Sequence, residues 1–371
     1  MTPPYQLAIA HVDTGLSLRG GQQQLLMLAR GLAARGHRQL IVCPEASELF
    51  HKAHVEGFRV FPLPRRDPGH LHGAVLLRAE LRSFHADILH AHDGVGQTIA
   101  WLATLGSDAR RVVSRRVTFL PPRRLDYRLK YTHTADAVIV VSEFVRRLVV
   151  GCGVPSSKVI LIPDGVELPP ALPDERTCEQ VRAQWGFGAE DFVIGHLGAF
   201  TREKGQDIAV RAFAEVAGKL PRARLLLAGE GSQHAERLLG LSPPDARIRI
   251  LDPPKVASDF FAALDVYLMP SRSEGLGSSA LLAMAHGLPV VATRAGGLPE
   301  LVEEGGTGWL AEAKSPSSLA ACLIEAASDR ARLRAFGQKA RRRAEEFSAD
   351  KVTMLTEGLY YRLLRRQTTR S

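Results

Sequence analysis

Val266-Tyr-Leu-Met-Pro-Ser-Arg-Ser-Glu-Gly-Leu-Gly-Ser-Ser-Ala280 begins as a short apolar run, passes a turn holding one carboxylate and two glycines, and continues as a helix-forming segment. A strand that ends in such a turn and leads directly into a helix is the βα half of a parallel-sheet unit. Upstream, Phe192-Val-Ile-Gly-His-Leu-Gly-Ala-Phe-Thr-Arg-Glu-Lys-Gly205 repeats the pattern, with Arg202 and Lys204 in its turn.

The alternation extends along the chain. In the first half, apolar runs at Leu7–Ala10, Leu40–Cys43, Ile88-Leu89 and Ala137–Val141, with a short one near Val60, read as strands. Between them Leu25, Leu28, Ala29 and Leu32, then Leu77, Leu81 and Phe84, recur at helical spacing, and another helix is expected around Trp101. Ile162-Pro-Asp-Gly-Val-Glu-Leu-Pro-Pro-Ala-Leu-Pro173 reads as a linker. After it, strands are expected near Val193, Leu225, Ile248, Val266 and Val290, and helices near Gln206, Ser232, Val256, Ser278 and Pro316. Strict βα alternation implies parallel sheets covered on both faces. The prediction is therefore α/β: two doubly wound, Rossmann-like domains, residues 1–170 and 171–347, facing each other across a ligand cleft. A last helix, about 348–371, carries Val352, Leu355, Leu359 and Leu363.

Composition agrees with a globular chain: 371 residues, 45% hydrophobic and 23% charged, enough for two cores. No apolar run approaches the ~20 residues of a spanning helix. The N-terminus lacks a basic segment followed by an apolar one, so a cytoplasmic location is expected. Cys43, Cys152, Cys178 and Cys322 are scattered without metal-ligand spacing and read as reduced structural thiols. The net charge of +9 is uneven: residues 110–130 hold seven arginines and Lys130 against Asp126 alone. Arg115, Arg116, Arg123 and Arg124 are its centre, and they suggest an anionic partner such as a membrane surface or a phosphorylated acceptor.

Three loops can carry chemistry. Gly198 to Gly205 can aim two cations and backbone N–H groups at a diphosphate; the bland reading is a solvated helix start. Glu274, Gly275, Leu276, Gly277 and Ser278 place a carboxylate beside a helix N-terminus, suited to sugar hydroxyls and phosphate; a tight turn alone would look similar. Gly20 and Gly21, before the first long helix, would let that loop close onto a ligand; a flexible connection is the alternative.

Together these stretches resemble the family 4 retaining glycosyltransferases of GT-B fold. The resemblance runs nearly end to end: Gly20-Gly21, Arg35-Gly-His37, Ile88-Leu-His-Ala-His92, Val140-Val-Ser-Glu143, Ile162-Pro-Asp-Gly-Val166, Phe200 to Gly205, and above all Pro270 to Gly277, Gly287 to Thr293 and Gly296-Gly-Leu-Pro-Glu-Leu-Val302. It implies transfer from a nucleotide-sugar cosubstrate, with no other cofactor and no metal, to a glycan or lipid-linked acceptor. Arg202 and Lys204 would stabilise the leaving diphosphate, Glu274 and His92 would contact the donor sugar, and the final helix would return to the first domain. His90, two residues before His92 on the same strand face, is an alternative to it; His196 reads as structural. One departure stands out: where the family has a second glutamate, holding the ribose, this chain has Leu282. The arginine-rich segment resembles, less specifically, transferases of bacterial lipopolysaccharide and surface-glycan assembly, working at the inner face of the membrane.

Other classes fit less well. A nucleotide-sugar 2-epimerase would share the fold but not this run of motifs. A non-catalytic sugar- or nucleic-acid-binding protein could use the arginines, yet Phe119, Tyr127 and Tyr131 are few for base stacking, so nucleic acid is not the expected partner. A dinucleotide-dependent dehydrogenase lacks its glycine fingerprint.

Overall fold

A computed structural model describes residues 5–64, 71–119, 124–232, 235, 245–254 and 256–368. The chain divides into two compact units, residues 1–165 with 349–371, and residues 166–348. The division falls at Gly165, within the predicted linker, because the Val166 N–H already donates to Phe347 O and Val166 bridges Ser348.

Unit 1 holds a seven-stranded parallel sheet: β1 (Ala8–Val12), β2 (Arg38–Pro44), β3 (Arg59–Leu63), β4 (Ile88–Ala91), β5 (Arg110–Arg115), β6 (Ala137–Val140) and β7 (Val159–Leu161), in the order β3-β2-β1-β4-β5-β6-β7. The strands are short, and β1, β4 and β6 are apolar but for His11 and His90 and wholly buried, as strands covered on both faces are, whereas β5 carries three arginines and is buried only at Val112, Val113 and Ser114. Helices start where a polar side chain satisfies the first free amides. Asp93 accepts from Val95 N and Gly96 N, and Ser142 from Val145 N. Helix Gly20–Ala34 packs Met27, Leu28 and Leu32 against Leu7 and Ile9 of the sheet.

The final helix, Ala349–Thr368, belongs to the same core, through Val352, Leu359, Tyr360, Tyr361 and Leu363. A buried polar clasp anchors it: Glu357 accepts from Arg35 Nε (3.0 Å) and NH2 (2.6 Å) and meets His37 Nε2 at 2.7 Å. His37 Nδ1 in turn accepts from the Leu7 amide.

Unit 2 holds a six-stranded parallel sheet: β8 (Phe192–Leu197), β9 (Ala223–Ala228), β10 (Ile248–Leu251), β11 (Val266–Met269), β12 (Val290–Thr293) and β13 (Gly308–Ala311), ordered β10-β9-β8-β11-β12-β13. Its core joins Ile194, Phe213, Leu225, Leu268, Val291, Trp309 and Phe336. The helix expected near Ser232 runs into residues outside those described. No helix among the described residues is long and apolar enough to cross a membrane.

In each sheet the strand order reverses once, between β1 and β4 and between β8 and β11. At such a reversal the two following loops diverge to opposite faces, leaving a crevice at the carboxyl edge where α/β proteins bind ligands.

Candidate functional site

In unit 2, the loops that leave β8 and β11 are the two that carry Arg202, Lys204 and Glu274. The fold brings them together: Lys204 Nζ donates to Glu274 Oε1 at 2.6 Å, and Ser271 Oγ donates to the same oxygen at 2.9 Å. Arg202 is exposed on the first loop. Both loops are braced. Gln206 Nε2 donates to the carbonyls of Gly198 (3.2 Å) and Ala199 (2.9 Å). Gly296, with φ of 62°, presses on Glu274 so closely that an added Cβ would sit 1.9 Å from the Glu274 carbonyl oxygen, while the Gly297 amide donates to that oxygen.

The residue that ties the loops together is Arg272, which sequence reasoning passed over. Its guanidinium forks onto both carboxylate oxygens of Asp207 (2.6 Å each) and reaches the Arg202 carbonyl at 2.8 Å, while its amide donates to Glu203 O. A planar fork on a carboxylate fixes direction as well as distance. The sequence signal was an arginine two residues before Glu274 and an acid just inside the helix after Lys204, too generic to read alone.

Gly275, Leu276 and Gly277 lead from Glu274 into helix Ser278–Ala285, whose first residue is Ser278. Leu276 is 3% exposed, so its side chain packs into the unit. Leu282 lies on the second turn, half-buried and apolar. His196 is buried and hydrogen-bonds Leu268 O at 2.9 Å; burial first of all lowers its pKa to about 4, so it is neutral.

At the corresponding edge of unit 1, His11, His90 and His92 stand together, one nitrogen of each within 4.8 Å of the others. His90 is wholly buried, with Nδ1 on Tyr360 OH (2.7 Å) and Nε2 on Ser114 Oγ (2.8 Å), whereas His92 lies past the end of β4, at the carboxyl edge. Their rings stack, with centroids 4.2 Å apart. Arg116, a donor only, points at His92 Nδ1 (3.2 Å), so that nitrogen accepts. His92 Nε2–H then donates to His11 Nδ1 (3.0 Å), and His11 Nε2–H to Gln39 Oε1 (3.0 Å). Burial, reinforced by neighbouring histidines and Arg116, holds His90 and His92 well below their ordinary pKa; burial brings His11 to about 4. All six ring nitrogens thus face protein partners, and a cation placed among them would meet Arg116.

The glycine pair differs from expectation. Gly20 and Gly21 are the first two residues of helix Gly20–Ala34, not part of the loop before it, because Arg19 takes the capping position. The arginine-rich segment is also less uniform than its charge suggests. Arg110 and Arg111 pair with Asp136. Arg116 turns inward, Nε donating to Asp164 Oδ1 at 2.9 Å. Arg115 donates to the Phe119 carbonyl. Arg123 and the side chain of Arg124 lie outside the described residues.

Comparison with known proteins accounts for both halves. The family described as Glycosyltransferase Family 4 matches residues 18–168, and Glycosyl transferases group 1 matches residues 191–329. The chain is 30% identical, over 351 residues, to the GDP-mannose-dependent alpha-(1-6)-phosphatidylinositol monomannoside mannosyltransferase of Mycolicibacterium smegmatis, covering 86% of this chain and 88% of that one. It is 26% identical over 340 residues to the N-acetyl-alpha-D-glucosaminyl L-malate synthase of Bacillus anthracis, covering 85% and 84%. Anabaena HepE, crystallised with UDP and glucose, superimposes with a TM-score of 0.82 at 22% identity, over 95% of this chain and 99% of that one, which identifies the fold as GT-B. With sheets, motifs and relatives in agreement over nearly its whole length, the chain belongs to the glycosyltransferases of group 1 and family 4.

Proposed function

We propose that the protein transfers a sugar from a nucleotide-sugar to a glycan or lipid-linked acceptor with retention of anomeric configuration, in surface-glycan or lipopolysaccharide assembly in the cytoplasm, at the inner face of the membrane. The observation that carries the donor reading is the meeting of Lys204 and Glu274 at the reversal point of the second sheet. A cation and a carboxylate on adjoining strand-end loops suit a ligand with phosphate at one end and hydroxyls at the other. HepE holds UDP and glucose in its crystal, and the mycobacterial relative depends on GDP-mannose, which supports the same ligand class here.

In this reading Lys204 and Arg202 neutralise charge growing on the diphosphate as the bond from anomeric carbon to phosphate oxygen breaks. These cations do the work a metal does elsewhere, and the nucleotide-sugar is consumed as cosubstrate, with no resident cofactor. Glu274 orients the sugar. The acceptor hydroxyl attacks the face the diphosphate leaves, and its proton passes to the departing phosphate oxygen. His92, which the family resemblance assigns to the donor sugar, can offer Nδ1 to a hydroxyl only after Arg116 has left it. Leu282 cannot accept hydrogen bonds from a ribose, so a backbone group or water takes that place, or the donor differs, or it binds less tightly.

A thermal-shift panel of UDP-, GDP-, ADP- and CMP-sugars tests this, since a ligand of the folded state raises the melting temperature. One donor should stabilise the wild type and fail to stabilise Lys204→Ala. No shift with any donor would overturn the reading, and isomerisation of a donor without acceptor would replace it with the epimerase.

A further inference from the structure

Helix Arg330–Ala344 of unit 2 carries seven cations in fifteen residues and no carboxylate. It buries Leu333, Phe336, Gly337, Ala340 and Ala344, so the cations stand on its remaining faces. Most of them are engaged. Arg332 pairs with Glu325 and lies over the Trp309 ring, Arg343 reaches Glu303 and Glu346, and Lys339 lies over the Phe336 ring. Arg334 and Arg342 are exposed and have no hydrogen-bond or ion-pair partner among the described residues.

These two arginines line one groove of about 480 Å³. The helix that carries them passes just beyond the C-terminal end of helix Ser278–Ala285. The approach is close: at Gly337 an added Cβ would stand 2.1 Å from the Gly287 carbonyl oxygen. Arg341, also in the lining, holds the two together, NH1 donating to Ala285 O and NH2 to Pro169 O at 2.8 Å each. Its guanidinium offsets the negative end of that helix, which would otherwise oppose an anion here. Gln338 follows Arg334, and Glu345 follows Arg341, each one turn further along the same wall. Leu172 adds an apolar surface, 42% exposed.

The groove lies at the amino edge of the second sheet, since Gly287 comes just before β12. Lys204 and Glu274 stand at the opposite edge, on loops that follow β8 and β11. We propose that the groove binds a small phosphate ester bearing hydroxyls, at a site separate from the donor loops. Two unengaged guanidiniums can fork onto the oxygens of one phosphate, a geometry that single ammonium groups do not offer. Three guanidiniums face one carboxylate in the lining, which leaves the groove cationic. Its size suits a molecule as large as a sugar phosphate. Gln338 and Glu345 can take hydroxyls, which an ester carries and inorganic phosphate does not. The site does not depend on the proposed sugar transfer.

Calorimetric titration of the full chain with glycerol 3-phosphate, glucose 6-phosphate and inorganic phosphate tests it. Wild type should bind at least one ester, more tightly than inorganic phosphate and less so at about 0.5 M salt. Arg334→Gln/Arg342→Gln should weaken that binding at least about tenfold; both side chains are exposed, so the fold should be kept. Lys204→Ala should bind the ester as wild type does, because that change falls on the donor loops. No binding of either ester, or equal binding by the double variant, would overturn the site. Loss of ester binding in Lys204→Ala would overturn it too, by moving the ester to the donor loops. Inorganic phosphate bound as tightly as the esters would overturn the choice of ligand.

Discussion

Lys204 and Glu274, seventy residues apart, share one hydrogen bond of 2.6 Å at the carboxyl edge of the second sheet. In the proposed reaction the pair would hold each charge in place before the donor arrives, so little would have to reorganise as the diphosphate competes for the ammonium. Lys204→Ala is expected to cut turnover ~10²- to 10³-fold, the scale for one preorganised stabilising group. Glu274→Gln should also impair transfer, and the double variant should fall short of the product of the two losses, because the residues are in contact. Steady-state rates of the three variants with the donor found by thermal shift decide this; full additivity would mean that the pair does not act as a unit.

Arg272 is expected to matter as a brace and not as a ligand. Arg272→Ala releases Asp207 and the Arg202 carbonyl together, letting the loop that carries Arg202 and Lys204 drift. Donor affinity should drop roughly tenfold or more, since small displacements at a site are costly. Arg272→Lys should rescue it poorly, because an ammonium cannot fork onto a carboxylate. Calorimetric titration of both variants with nucleoside diphosphate checks the contrast.

Gly296→Ala places a methyl carbon 1.9 Å from the Glu274 carbonyl oxygen, at a φ of 62° that L side chains rarely adopt. The expected result is a loss of more than about 1 kcal/mol in stability, with a larger loss of turnover because the displaced residue is Glu274. Urea unfolding beside kinetics separates the two effects.

The buried histidines make unit 1 sensitive to mild acid. Their folded-state pKa values lie below the unfolded value of about 6.5, so between the two the unfolded chain binds more protons than the folded one. Stability is therefore complete above pH 6.5 and is lost as pH falls below it. His11, at about 4, contributes on the order of 3 kcal/mol to that loss. Urea midpoints of wild type at pH 7, 5.5 and 4.5 should decline, and His11→Gln should decline less steeply. A flat wild-type profile would show that the histidines are not held neutral.

Glu357 acts lower on the pH scale. Burial opposes its ionisation, but hydrogen bonds from Arg35 and His37 outweigh burial and hold its carboxyl below the usual range. That stabilisation is present above about pH 4.3 and disappears as pH drops through the folded value. Glu357→Gln is expected to loosen the final helix and to remove this part of the acid dependence. Hydrogen exchange in residues 349–365 would show the loosening.

Much of this was legible in the sequence because its carriers are local. Strand-length apolar runs, helical spacing and glycine turns pointed to ten of the thirteen strands, while β5, with three arginines among its six residues, and the short β7 and β13 were not read; Glu274 and Lys204 stood out because each sits in a strand-to-helix turn. Contacts across long separations were not legible. Nothing near Arg272 announces Asp207, nothing near Glu357 announces His37, and the inward turn of Arg116 onto Asp164 and His92 is invisible in a run of arginines. Gly20 and Gly21 were misplaced because glycine weakens the helical pattern without preventing a helix's first turn.

The return of the last helix has a consequence for synthesis. Residues 166–348 emerge from the ribosome as one uninterrupted stretch whose first and last residues, Val166 and Ser348, pair with each other. The earlier-made unit must wait, since Leu359, Tyr360 and Leu363 are needed to close over Leu7 and Ile9. The unit translated first is thus the one finished last, and a nascent chain stalled before residue 349 would present an intact second unit attached to an open, unfinished first.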